Sequence, residues 1–174
     1  GPYFLKASVG FGGSCFQKDI LNLVYLCRYY GLDKVAEYWH QVVKINDYQK
    51  ERFAQRIIDH FGGDLTGKTI AILGWAFKKD TNDSRESASI KVSELLFKKG
   101  AKLTIYDPMV SKIQIINDTM NYWDDKVLSQ KSNMNFNIVQ NLKEALKSSD
   151  AVVVITEWDE FKNKIFNDII VFDG

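Results

Sequence analysis

The sequence has only two cysteines among its 174 residues, Cys15 and Cys27, too few for a disulfide framework. Its two histidines, His40 and His60, stand at no metal-ligand spacing from each other or from the cysteines, so no zinc site is expected. Unpaired thiols and the lack of a basic or apolar leader point to a reducing compartment, the cytoplasm. Long apolar runs are missing as well. The longest, Ala151 to Ile155, falls far short of the ~20 residues that span a bilayer. Neither sign of charge is in excess: 23 Lys plus Arg against 22 Asp plus Glu leave +1, which gives no footprint for nucleic acid or an anionic membrane. The chain opens Gly1-Pro2 without an initiator Met, so a piece of a longer protein is expected. A composition of 45% hydrophobic and 26% charged residues excludes disordered and fibrous classes and leaves a globular one.

Hydrophobic spacing divides the chain at Gly62-Gly63. Before it, Phe16, Ile20, Leu23, Val24, Cys27 and Tyr30 recur at helical intervals, with Gly31 as the stop. A second helical pattern runs from Asp33 through Val35, Trp39, Val42, Val43 and Asn46 to Phe53, Ile57 and Ile58. At on the order of 27 residues it exceeds a usual globular helix, which suits a connector or an oligomer contact. After the glycines the pattern changes. Thr69–Leu73, Leu103–Tyr106, Ala151–Ile155 and Ile169–Phe172 read as strands, and Ala88–Lys99 and Leu142–Lys147 as helices. Near-continuous apolar strands alternating with helices predict an α/β fold: a helical connector over residues 1–62, then a Rossmann-like parallel sheet with helices on both faces over 63–174. The polar, Asn-rich stretch 109–137 reads as a variable surface excursion.

The densest chemical signal is Gly10-Phe11-Gly12-Gly13-Ser14-Cys15-Phe16-Gln17-Lys18-Asp19. Three glycines in four residues allow close backbone approach to a ligand. Ser14 is placed to cap the helix that starts near Cys15 or Phe16. A thiol at that end meets the positive pole of the helix dipole, with Lys18 one turn on, and both favour the nucleophilic thiolate. Asp19 is placed to orient water or balance charge. The bland alternative is a glycine turn holding a small buried cysteine. Cys27, on the apolar face with Ile20, Leu23 and Val24, reads as core.

A second signal, Gly74 to Ser87, directly follows the strand Thr69–Leu73, where doubly wound sheets bind ligands. The dinucleotide fingerprint G-x-G-x-x-G fails there, since Ala76 and Lys79 stand at the second and third glycine positions. Lys78, Lys79 and Arg85 instead offer cations to phosphate oxygens, unless Asp80, Asp83 and Glu86 neutralise them. Asp107 sits where Rossmann folds place a ribose-binding acid, but with Pro108 behind it the simpler reading is a turn. Glu157-Trp158 after the third of these strands lines or covers the same crevice. His40 and His60 receive no chemical role.

Taken together, Phe4 through Asp19, Asn46-Asp47-Tyr48-Gln49, Phe77-Lys78-Lys79-Asp80-Thr81, Asp83-x-Arg85-Glu86-Ser87 and Tyr106-Asp107-Pro108 resemble the nucleotide-sugar dehydrogenases of the UDP-glucose/GDP-mannose dehydrogenase family along nearly the whole chain. The Phe16-Gln17-Lys18-Asp19 spelling is closest to members that oxidise UDP-glucose. The resemblance implies oxidation of UDP-glucose to UDP-glucuronate with two NAD. It implies Cys15 as the nucleophile that passes through a thiohemiacetal and a thioester, with Asp19 aiding hydrolysis. It implies that Phe4, Leu5, Lys6, Ala7, Ser8, Val9, Gly10, Phe11, Gly12, Phe77 and Lys78 hold the sugar nucleotide. Cys15, Phe16, Gln17, Lys18 and Arg85 would touch NAD, and the enzyme would be a homodimer or hexamer. The family's NAD-binding domain and its acid/base Glu would precede residue 1, so the chain alone is expected to be inactive. Two other readings stand beside this one: a dehydrogenase of UDP-N-acetylmannosamine or GDP-mannose, and a non-catalytic nucleotide-sugar-binding or assembly module with Cys15 incidental.

Overall fold

The computed structural model describes residues 7–129, 135–162 and 169–174. Two helices come first, α1 (Phe16–Tyr29) and α2 (Asp33–His60). They are followed by β1 (Thr69–Leu73), α3 (Ala88–Lys98), β2 (Lys102–Tyr106), α4 (Lys112–Tyr122), α5 (Asp125–Leu128), β3 (Phe136–Ile138), α6 (Leu142–Leu146), β4 (Ala151–Val154) and β5 (Ile170–Asp173). All strand pairs are parallel, in the order β3-β2-β1-β4-β5. Helices flank this sheet, which gives the expected Rossmann-like α/β fold.

β1 is central because its sequence lets it be. Ile70, Ala71, Ile72 and Leu73 are fully buried, as a strand covered on both faces requires. Each large aliphatic side chain among them contributes roughly 1.5–3 kcal/mol by leaving water. The order reverses direction at β1, with β2 on one side and β4 on the other. The crevice beyond the carboxyl ends of β1 and β4 is therefore the topological switch point, where open α/β sheets take ligands.

The long helix α2 serves two cores. Its first half contributes Ala36 and Val43 to a small cluster with Ile20, Val24 and Cys27 of α1. Its last turns contribute Ala54, Ile57 and Ile58 to the main core under the sheet. Cys27 is core, as its spacing predicts. The apolar spacing of α1 overstates the buried face, however: Phe16, Leu23 and Tyr30 are exposed, as are Val35 and Trp39 of α2. This exposed helical surface also carries Tyr25, Tyr29 and Tyr38.

Residues 109–137 are not a surface excursion in their described part. Ser111 caps α4 by accepting the Gln114 N–H, and Ile115, Asp118, Thr119 and Trp123 are buried. The Trp75 indole N–H donates to Asp118 Oδ2 at 2.8 Å, and the Trp123 indole donates to the Ile90 carbonyl at 3.1 Å. The stretch then adds β3 as an edge strand. Among the described residues, no helix is long and apolar enough to cross a membrane.

Candidate functional site

The two sequence motifs meet in space. The Gly13 N–H donates to the Arg85 carbonyl at 2.7 Å, and the Gln17 side-chain amide donates to Glu86 Oε2 at 3.3 Å. A Cβ at Gly12 would lie 2.6 Å from the Glu86 carbonyl oxygen and 2.9 Å from Phe77 Cβ. Gly13, at φ +87°, would bring a Cβ to 3.0 Å from the Phe77 ring. The glycines read as ligand-facing are thus needed first by the chain's own packing of one loop on the other. Glu86 itself holds a left-handed backbone, φ +55°, at this junction. Such a conformation costs about 1–3 kcal/mol for a non-glycine residue and persists only where the surroundings enforce it.

α2 fixes the other end of the loop. Asn46, almost fully buried, accepts the Phe11 N–H at 2.8 Å and donates to the Phe11 carbonyl at 3.0 Å. Gly10 lies against the same residue: a Cβ there would come 2.7 Å from Asn46 Oδ1. One amide thereby satisfies both polar groups of a loop residue, as a neighbouring strand would.

Between these loops and the carboxyl ends of β1 and β4 lies a cavity of about 360 Å³. Ala7, Ser8, Val9 and Gly10 form one wall, and Phe77 and Lys78 another. Glu157 also reaches it, while Trp158 is buried beneath. The floor is tied across the two strands by the Thr156 hydroxyl, which donates to the Ala76 carbonyl at 2.6 Å. The cations of this loop divide. Arg85 donates from Nε and Nη2 to Asp83 at 3.0 and 2.8 Å. That bond holds the Asp83 carboxyl below its ordinary range and pushes the Arg85 guanidinium up. Lys79 lies 3.5 Å from Asp159 and 3.9 Å from Asp80. Lys78 has no carboxylate partner among the described residues and rests 5.4 Å from the Phe77 ring centroid, at the cavity wall. It is available to a phosphate, and Lys79, whose ion pairs are long, lines the same cavity.

A second cavity, also about 360 Å³, is lined by Gln17, Lys18 and Arg85 with Gly13, Ser14 and Tyr122. These include three of the residues assigned to NAD on resemblance. Gln17 Oε1 is buried there without a hydrogen-bond partner, an orphaned acceptor that a donor from a ligand would satisfy.

Cys15 is exposed at the N-cap of α1, one residue past Ser14 of the second cavity, and like Phe11, Gly12 and Phe16 it lines neither cavity. Ser14 does not cap the helix: no side chain does, and the Ser14 hydroxyl lies 3.5 Å from the Cys15 sulfur instead. With helical φ and ψ at Cys15 itself, the serine falls one residue too early to reach the N2 or N3 amide. Asp19 is exposed one turn on, its N–H bonded to the Cys15 carbonyl, and lines neither cavity. Phe16 is 43% exposed and meets the Phe11 ring edge-on at 4.7 Å. Phe4, Leu5 and Lys6 lie outside the described residues.

Sequence reasoning missed the residues that hold these walls. Asp107 is no mere turn former but a buried acceptor for five donors. Thr156 carries no signal in the sequence. Asn46 stands in the helical pattern of α2 and in the Asn46-Asp47-Tyr48-Gln49 motif, but neither assigns it a role. A polar residue among the apolar positions of that pattern is the signal that it holds a buried hydrogen bond.

The UDP binding domain of the UDP-glucose/GDP-mannose dehydrogenase family matches residues 71–174, and the central domain of that family matches residues 1–48. UDP-glucose 6-dehydrogenase of Gallus gallus is 52% identical over 184 residues, covering 100% of this chain and 36% of its own length. UDP-glucose 6-dehydrogenase 2 of Arabidopsis thaliana is 49% identical over 189 residues, covering 100% of this chain and 39% of its own length. A UDP-glucose dehydrogenase from Pyrobaculum islandicum superposes with a TM-score of 0.76 at 29% identity, over 100% of this chain and 36% of that one. The GDP-mannose dehydrogenase of Pseudomonas aeruginosa shares the fold, with a TM-score of 0.70 at 23% identity, over 100% of this chain and 38% of that one. The chain thus spans well under half the length of these relatives. On the match of both family domains and on identities near one half, the chain belongs to the UDP-glucose/GDP-mannose dehydrogenase family.

Proposed function

We propose that this chain is the cysteine-loop and UDP-binding part of an NAD-dependent UDP-glucose 6-dehydrogenase that converts UDP-glucose to UDP-glucuronate. The observation that carries the reading is the cavity at the switch point, walled by both motifs and lined by Lys78, which has no carboxylate partner among the described residues, and by Lys79. The diphosphate sits against Lys78 and the Phe77–Lys78 backbone, and the hexose extends along Ser8–Gly10 toward Cys15. Residues 1–62 then form the cysteine-bearing connector and residues 63–174 the nucleotide-binding unit.

Gln17, Lys18 and Arg85 suit the cofactor's polar groups, and the orphaned Gln17 Oε1 fits a ligand donor in that cavity. NAD, when bound, would accept the two hydrides that leave C6, one as the alcohol becomes an aldehyde and one as the thiohemiacetal becomes a thioester. Cys15, exposed at the start of α1, adds its thiolate to that aldehyde, and water cleaves the resulting thioester to the carboxylate and the free thiol. Asp19 takes part in that hydrolysis once substrate and the remainder of the enzyme close over α1. A working Cys15 must stay reduced, which suits the cytoplasm. The exposed aromatic surface of α1 and α2 supports a homo-oligomer.

The test is turnover in the intact protein that carries this chain. Two NADH should form per UDP-glucose consumed, and Cys15→Ala should abolish product. Full turnover by Cys15→Ala would refute the cysteine mechanism. The 174-residue chain alone should form no NADH, and any it forms would refute the claim that essential groups lie outside it.

A further inference from the structure

We propose that Asp107 is a positioning residue of the nucleotide crevice, its carboxylate spent entirely on the chain's own donors. The proposal rests on the reading of that crevice as the UDP site. Asp107 follows β2, at the position from which a Rossmann fold reads a cofactor ribose. Here Oδ2 accepts the Trp75 N–H at 2.6 Å, the Ala76 N–H at 3.0 Å and the Trp158 indole N–H at 3.1 Å. Oδ1 accepts the Met109 and Val110 N–H groups, both at 2.8 Å. An ionised carboxylate offers about four lone-pair sites, so five donors leave none for a ribose hydroxyl.

Three separate loops converge on this one group. Trp75 and Ala76 lead directly into Phe77 and Lys78, which line the crevice. Trp158 follows Glu157, which lines it from the β4 side. Met109 and Val110 anchor the β2–α4 turn. The carboxylate therefore sets where the walls stand relative to one another without itself reaching the ligand. It also accounts for the failed fingerprint at Gly74 in a second way: neither the glycine pattern nor a free acid is present to hold a dinucleotide in this domain.

Asp107→Asn isolates the effect, because it preserves shape but leaves a single acceptor oxygen. Whichever way the amide turns, its NH₂ faces at least two N–H donors. Three quantities are measured in the intact protein: UDP affinity by calorimetry, KM for NAD, and the rate of Cys15 alkylation. UDP affinity should fall by roughly tenfold or more, with the other two changed less than about twofold. Unchanged UDP affinity, or all three quantities degrading together, would overturn the positioning role. If Asp107→Asn does not fold, Trp158→Phe removes one of the five donors. It should weaken UDP alone by about two- to fivefold, and unaltered affinity would overturn the proposal. Failure of the unsubstituted protein to bind UDP would instead refute the assignment of the crevice.

Discussion

Replacing Asn46 with alanine should release the cysteine loop from α2 while leaving both cores intact. Asn46 makes two hydrogen bonds to Phe11, of 2.8 and 3.0 Å, from a side chain that is 3% exposed. Each contributes about 1 kcal/mol net, so their loss favours loop opening by about 2 kcal/mol. That corresponds to a ~30-fold larger open population. The assay is native-state hydrogen exchange at the Phe11 amide, whose acceptor is removed. Its protection should fall about 30-fold, while the β1 amides, paired deep in the sheet, keep theirs. Asn46→Asp sharpens the test: the introduced carboxylate still accepts the Phe11 N–H but cannot donate to the Phe11 carbonyl, so protection at Phe11 should fall less than in Asn46→Ala. Unchanged Phe11 protection in Asn46→Ala would refute the view that this amide holds the loop.

Gly12→Ala forces a methyl to within 2.6 Å of the Glu86 carbonyl oxygen and 2.9 Å of Phe77 Cβ, so it should cost about 1–3 kcal/mol in urea unfolding; a neutral result would mean that the two loops do not pack as described. Cys15 should react with a maleimide in the native protein while buried Cys27 reacts only on unfolding, and labelling followed by peptide mapping separates them; native labelling of Cys27 would contradict its place in the α1–α2 cluster. Burial, and then the Glu160 carboxylate that accepts its O–H at 2.9 Å, push the Tyr106 phenol up to about 12. The folded-state pKa is raised, so the contribution to stability is intact below the ordinary value near ~10 and is lost as pH rises toward the folded one. Tyr106→Phe should remove that alkaline slope from the urea midpoint, and an equal slope in both proteins would contradict the assignment.

The parts of the fold that were legible in the sequence are those built by apolar side chains. β1 could be read to the residue because Ile70 to Leu73 must be buried on both faces of a central strand. Cys27 declared itself core by sharing a helical face with Ile20 and Val24. The stretch 109–137 was misread because α4 buries Asp118 and Thr119 where an apolar stripe is looked for, and polar residues on a buried face imitate a surface helix. The candidate site divides in the same way. Its cysteine, glycines and cations were visible as local clusters, since glycine turns and helix starts are written in adjacent residues. The walls were not, because their ties run between distant positions: Asp107 to Trp75 and Trp158, Thr156 to Ala76, and Asn46 to Phe11. A carboxylate before a proline looks the same in sequence whether it closes a turn or holds three loops.

The central claim is that the crevice beyond β1 and β4 binds the nucleotide half of UDP-glucose, and calorimetric titration tests it most directly. The protein would be titrated separately with UDP, UDP-glucose, GDP and NAD, and the series repeated on Lys78→Ala. UDP and UDP-glucose should bind the isolated 174-residue chain, GDP and NAD should give no heat, and Lys78→Ala should weaken both uridine ligands. Binding of NAD with UDP silent, or UDP affinity indifferent to Lys78, would contradict the central claim.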